Sequence, residues 1–171
     1  MKKNFNNKEQ NLMYYLSVSK KSLFRFEYEQ YFANDDMSDE SMKEWWSFIK
    51  DKTLNNITMQ RVRLVILPMN EYTKSELKTH KNSVKHGDDI RVLYKKEFDE
   101  IVNSIKLVKF LENQNNKVLS FWLIDDNLLL KMKYNEAGVY IGFDTIYEQV
   151  EVEFYKSLKY KLWEKSVDLA H

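Results

Sequence analysis

Three arginines and two aspartates are the residues whose type and spacing suggest chemistry. Arg61 and Arg63 alternate along one predicted strand, so both side chains point to the same face of a sheet. Arg91 lies on the next predicted strand, expected beside the first, and Glu76 lies on the helix between them. Guanidinium groups bind phosphate or carboxylate with paired hydrogen bonds. The set therefore reads either as an anion site or as a buried ion-pair network neutralised by Glu76. Asp125-Asp126 also offers two readings. Adjacent carboxylates can hold a divalent cation or act as acid and base, and Asp is equally favoured in a hairpin turn, where its side chain bonds the backbone.

Other chemistries find little support. His80 and His86 are six residues apart, off the i, i+4 spacing of a helical metal pair, and read as surface histidines; His171 is the last residue. No metal site or cofactor is expected. No Gly-x-Ser-x-Gly elbow is present, and three glycines at 87, 138 and 142 cannot build a phosphate loop. The chain has no cysteine, which excludes thiol catalysis, thiolate metal sites and disulfides and fits a cytoplasmic location. A net charge of +1 gives no general case for nucleic acid. Met1-Lys2-Lys3-Asn4 leads into polar residues rather than a secretory signal, and no apolar run approaches the length of a membrane span.

The elements that must position these residues follow from periodicity. Residues 1–11 read as a disordered leader, followed by a single α/β domain over 12–171 with 43% hydrophobic and 15% aromatic residues. A strand is expected near 22–28. After Asn34-Asp35-Asp36, Ser38 looks like the N-cap of a helix whose buried face carries Met42, Trp45, Trp46 and Ile49. Of the adjacent tryptophans, one should be core and the other exposed, because neighbours on a helix diverge by about 100°. Trp122 is a further candidate for stacking on a partner.

Gln60–Leu67 is a strand ended by Pro68, with Val62, Leu64 and Ile66 on one face. Thr73-Lys74-Ser75-Glu76 fits a capping box for a helix to about Lys85, with Gly87 at its stop. Asp89–Lys95 completes a strand-helix-strand unit of the kind that gives parallel pairing. A helix over Phe98–Leu111 is expected next. Val118–Ile124, Leu128–Tyr134 and Val139–Asp144 then form an antiparallel meander with turns at Asp125-Asp126-Asn127 and Asn135–Gly138. Thr145–Glu148 fits a second capping box, opening a closing helix with acids first and lysines later. The predicted fold is α/β (α+β), with a mixed sheet, a C-terminal antiparallel meander and a closing helix.

Two stretches carry a resemblance. One runs from Arg61-Val62-Arg63-Leu64-Val65 through Pro68, Tyr72, Glu76-Leu77 and Gly87-Asp88-Asp89-Ile90-Arg91-Val92-Leu93. The other is Phe121-Trp122-Leu123-Ile124-Asp125-Asp126, then Met132-Lys133-Tyr134, Gly138 and Gly142. Together they resemble a family of small, mainly actinobacterial proteins often encoded beside helix-turn-helix regulators. The sequence departs at Lys133, where the resemblance implies His, and at Lys74, where it implies Arg. Tyr72 and Tyr134 lie in these stretches and join Arg61, Arg63, Glu76, Arg91, Trp122, Asp125 and Asp126 as candidate ligand- or partner-binding residues.

The element order also looks like one half of a phospholipase-D-like domain. Active members of that superfamily carry His-x-Lys-x-x-x-x-Asp on the strand before the turn. The segment here, Val118-Leu119-Ser120-Phe121-Trp122-Leu123-Ile124-Asp125, lacks the His and the Lys. The resemblance then implies an inactive descendant. Three functions are expected in order. The first is a non-enzymatic module binding a protein partner, such as a helix-turn-helix regulator, or a small anionic ligand at the arginines. The second is a phosphoesterase or nucleic-acid-processing enzyme using Arg and Asp side chains. The third is a phage or plasmid protein that occludes a host defence system.

Overall fold

A computed structural model describes residues 7–30, 38–104 and 120–169. Its centre is a seven-stranded mixed sheet in the order β6-β5-β4-β1-β2-β3-β7. The strands are β1 (Ser22–Glu27), β2 (Thr58–Val65), β3 (Asp89–Tyr94), β4 (Phe121–Ile124), β5 (Leu128–Tyr134), β6 (Tyr140–Ile146) and β7 (Val167–Asp168). β1, β2 and β3 run parallel, β4 to β6 form the antiparallel meander, and β7 lies antiparallel to β3. The predicted fold class holds.

Among the described residues, five helices cover the two faces: α1 (Asn7–Ser17), α2 (Asp39–Leu54), α3 (Glu71–Lys85), α4 (Lys95–Val102) and α5 (Gln149–Lys165). Alternation decides which face each strand residue joins. Phe24, Phe26, Val62, Leu64, Leu93, Phe121 and Leu123 form one core with Phe98 of α4 and Val152, Tyr155, Leu158 and Leu162 of α5. On the other face Leu23, Met59, Trp122, Ile124, Leu130 and Met132 pack with Leu16 of α1 and Ile49 of α2. Aromatic rings fill the first core, with Phe121 meeting Tyr155 edge to face at 4.8 Å and Phe26 stacked on Phe98.

Several boundaries differ from expectation. α1 begins inside the stretch expected as a leader, and β7 has no counterpart among the expected strands, since two residues carry no periodicity. The expected helix over 98–111 starts at Lys95 and ends at Val102; residues 105–119 lie outside the described residues. Neither expected capping box forms. Asn70 caps α3 instead, its side chain accepting from the Thr73 amide at 2.7 Å, so Thr73 lies within the first turn. Thr145 and Ile146 belong to β6, and α5 starts after Glu148 without a side-chain cap. Neither tryptophan of α2 is exposed. Trp45 stacks on Phe48, and half-buried Trp46 lies flat on His86 and donates to Ser83 Oγ.

Gly87 closes α3 at φ +108°, a backbone region that L side chains rarely adopt. A Cβ there would come within 2.4 Å of Thr53 Oγ1. Gly87→Ala should therefore cost roughly 1–3 kcal/mol through backbone strain alone, plus the clash. Urea unfolding checks this: Thr53→Ala in the same background should recover only the steric part, and an unchanged midpoint for Gly87→Ala would contradict the reading.

Candidate functional site

The α3-facing side of β1 and β2 is lined with charge. β1 sets Leu23, Arg25 and Glu27 on that face, and its parallel register places Arg25 beside Arg61 and Glu27 beside Arg63. α3 meets them with a polar stripe of buried residues, Thr73, Glu76, His80 and Ser83, at the spacing that normally carries apolar side chains. The stripe is buried because guanidiniums wait beneath it.

Glu27 is the hub and is 1% exposed. Its Oε1 lies 3.0 Å from Arg25 Nε and 3.1 Å from Arg61 Nη1. Its Oε2 lies 2.7 Å from His80 Nε2. Arg61 Nη2 reaches Asp88 at 2.8 Å. Arg63, fully buried, gives Nε to Glu76 at 2.5 Å and Nη1 to the Glu27 carbonyl at 3.1 Å. Tyr72 donates weakly to Glu76 at 3.4 Å. Trp122 lies under Arg25 and Trp45 under Arg61, at cation–π range.

Burial opposes the charge on Glu27, but Arg25, Arg61 and His80 outweigh it and hold the carboxyl well below its ordinary range. An ionised carboxylate only accepts, so His80 Nε2 carries the proton on that side. Burial pushes the Glu76 carboxyl up, aided by repulsion from Glu27 and opposed by Arg63. Burial also disfavours the Arg25 charge, and Glu27, Tyr134, Glu76 and Tyr72 together more than compensate, raising its pKa.

The network corrects several expectations. Arg91 pairs with Val62, one residue out of register with Arg61 and Arg63. It therefore faces the other side, where its guanidinium lies 4.1 Å from the Trp163 ring and donates to the Trp163 carbonyl. Trp122 is 2% exposed and offers no surface for stacking on a partner. His80 is 4% exposed, not a surface histidine. Arg25, Glu27 and Asp88 are site residues that the sequence reading misses, and His80 is one that it misplaces. The signals were present: Arg25 and Glu27 alternate as Arg61 and Arg63 do, and His80 follows Glu76 by one helical turn.

Glu27, Glu76 and His80 each place a ligand atom within 4.8 Å of the others, a spacing that would suit a metal ion. The surroundings do not. Arg25, Arg61 and Arg63 already occupy these oxygens, and a divalent cation would face three guanidiniums. Anions fare little better, because three carboxylates, Glu27, Glu76 and Asp88, already match the three cations.

Asp125 and Asp126 belong to a different end of the sheet. Both have positive φ, 53° and 56°, in the turn from β4 to β5. The Asp125 carboxylate accepts the backbone N–H groups of Lys20, Lys21 and Ser22. These bonds outweigh burial and lower its pKa. Asp126 pairs with Lys159 of α5 at 2.8 Å. The turn bonds the start of β1, whereas Glu27 ends it five residues later. At about 3.3 Å per residue that is ~16 Å.

Where β1 ends, a cleft of about 590 Å³ opens, lined by Tyr28, Glu29, Gln30, Tyr134, Asn135 and Gly138, among others. It lies beside β1, where the sheet changes from parallel to antiparallel pairing. Burial raises the Glu29 pKa against its backbone hydrogen bonds, and Ser120 donates its hydroxyl to that carboxylate. Tyr134 is likewise raised, chiefly by burial.

Removing the hub should be costly. Glu27→Gln leaves buried guanidiniums uncompensated and should lose about 3–5 kcal/mol of stability in urea unfolding, whereas Arg91→Ala, outside the network, should lose much less. The folded-state pKa of Glu27 is depressed, so its contribution is present above the ordinary glutamate range and fades as pH falls through the folded value. Glu76, raised, acts in the opposite sense. Stability measured from pH 7 to pH 3 should fall more steeply in wild type than in Glu27→Gln; parallel curves would contradict the hub.

The architecture has a counterpart among solved structures. Nuc, a phospholipase D family member from Salmonella typhimurium, is similar with a TM-score of 0.54 and 10% identity, over 94% of this chain and 89% of that one. At that identity the likeness concerns the fold alone. Among curated proteins none matches the sequence. A family model does match, over residues 14–171, nearly the whole chain. The chain belongs to the DUF6879 family, a domain of unknown function.

Proposed function

We propose that this chain is a non-catalytic interaction module, which uses a phospholipase-D-like scaffold to present an aromatic surface to a protein partner. The observation that carries the reading is a contiguous exposed patch built by α1 and β6. Tyr14 is 64% and Tyr147 66% exposed. Tyr15 joins them: its ring lies 5.7 Å from that of Tyr14 and from that of Phe143, and it shares a hydrogen bond with Tyr147. Ile141 and Val18 add exposed aliphatic area. Between them runs a shallow groove of about 490 Å³ lined by Tyr14, Tyr15, Lys133, Ile141, Phe143 and Thr145, among others. Tyrosines presented this way mark interfaces more than catalytic pockets.

Two further points favour binding over catalysis. The segment before Asp125 lacks the His and Lys that the phospholipase D resemblance implies for activity. The turn holding the aspartates bonds the start of β1, whereas Arg61 and Arg63, paired with them in the phosphoesterase reading, meet Glu27 at its end. A small anion at Arg61 and Arg63 is less favoured than a protein, because their charge is already matched. A helix-turn-helix regulator remains the partner class that the sequence resemblance suggests.

Affinity capture with the purified chain, followed by mass spectrometry, tests the reading. Tyr14→Ser with Tyr147→Ser should stay folded and lose the stoichiometric partner, while Arg91→Ala should keep it. The protein should show no turnover of bis(4-nitrophenyl) phosphate above buffer. Turnover that disappears on changing Asp125 or Asp126, or a partner indifferent to the tyrosines, would overturn it.

A further inference from the structure

The sheet has two edges, and they are finished differently. At one end β7 is only two residues long, Val167–Asp168, which offers little template to a foreign strand. At the other end β6 runs for seven residues with no proline and a single charge, Asp144. Proteins usually blunt such an edge with lysines, proline or a covering loop. Here the edge borders the exposed patch of Tyr14, Ile141 and Tyr147. Among the described residues no strand pairs with the outer side of β6, and an unpaired, mostly uncharged edge beside exposed apolar side chains is the geometry in which another strand adds to a sheet.

We propose that a second copy of this chain covers this edge, its β6 pairing antiparallel with the first about a twofold axis at Phe143. The inference rests on the reading of this surface as an interface and names its occupant. The charges select the copy and the register. Within one chain Lys133 lies beside Gly142 and Lys131 beside Asp144, and Lys133 pairs with Asp144 diagonally. A twofold axis at Phe143 sets Gly142 opposite Asp144 of the second copy and Ile141 opposite Thr145 of the second copy. Across the seam one row then reads Lys133, Gly142, Asp144 of the second copy, Lys131 of the second copy. Symmetry repeats the row in reverse, so each carboxylate has its own chain's Lys131, which also pairs with Glu151, on the next strand and, one strand beyond Gly142, Lys133 of the other chain.

Neighbouring registers lose this match. An axis at Asp144 sets two like charges directly opposite, which destabilises a strand pair. An axis at Gly142 leaves Thr145 and Ile146 without partners. On the other face the Phe143 register brings two phenylalanines together over the seam, each backed by Tyr15 of its own chain. Aromatic pairs across antiparallel strands are among the favourable ones. The result is one sheet of fourteen strands with β7 at both ends.

Sedimentation equilibrium over roughly 1–200 µM tests the proposal, with the lower bound near the micromolar affinities of modest interfaces. Wild type should approach twice the chain's 20.8 kDa. Asp144→Lys should weaken dimerisation at least tenfold, and Lys133→Asp added to it should recover part of the loss. The chain has no cysteine, so Phe143→Cys supplies an independent readout. Opposed Cα atoms at an antiparallel axis lie within disulfide reach, and mild oxidation should give a covalent dimer, whereas Asp168→Cys should not.

A wild-type chain monomeric across the range, or a dimer unaffected by Asp144→Lys and not cross-linked through residue 143, would overturn the proposal. If Asp144→Lys fails to fold, the cross-link decides. A monomer that still captures another protein through Tyr14 and Tyr147 would remove the second copy and leave the interaction module standing.

Discussion

The carboxylate of Glu27 ties together more of this structure than any other group. It sits on β1, the central strand of the sheet, and engages guanidiniums from its own strand and the next one, and an imidazole from the helix above. Burying that many charges is tolerable only if each has a partner with good geometry. The polar stripe of α3 exists for this reason. Glu76 and His80 would be misplaced against an apolar sheet face, and against Arg63 and Glu27 they fix the helix in one register. Asp88, placed by the turn at Gly87, completes the match through Arg61.

This constraint shapes where function can reside. A site that binds phosphate needs cationic donors left unmatched, and the interior of this sheet matches cations with anions one to one. What remains for recognition lies outside the network. The cleft at the end of β1 is one such place. The α1–β6 surface is another, where aromatic area is exposed rather than packed. The scaffold is shared with a phospholipase D family member, and a shared scaffold carries no activity by itself.

Much of the architecture was readable from periodicity. β1, β2, β5 and the strand-helix-strand unit fall close to their predicted positions, because alternation and turn residues agree there. The errors have specific causes. Arg91 groups with Arg61 and Arg63 in the sequence because the strands are adjacent, yet a parallel register offset by one residue sends its side chain to the opposite face. The capping boxes at Thr73 and Thr145 matched in composition, but Asn70 supplied a better cap and Thr145 was drawn into the sheet. His80 reads as a surface group because its spacing to His86 fits no helical metal pair, and its true partner Glu27 is 53 residues away in sequence. The ion-pair reading of Arg61, Arg63 and Glu76 matches the geometry; the hub that completes it is visible only once β1 lies beside β2.

The side-chain nitrogens of the arginines report most directly whether this network is a closed internal structure. In nitrogen-15 NMR spectra of the uniformly labelled protein, the Arg63 Nε–H resonance should be displaced downfield, exchange slowly with solvent, and stay in place through a phosphate titration to tens of millimolar. An Arg63 signal that exchanges rapidly and moves with phosphate would show a solvent-open anion site, contradicting the closed network.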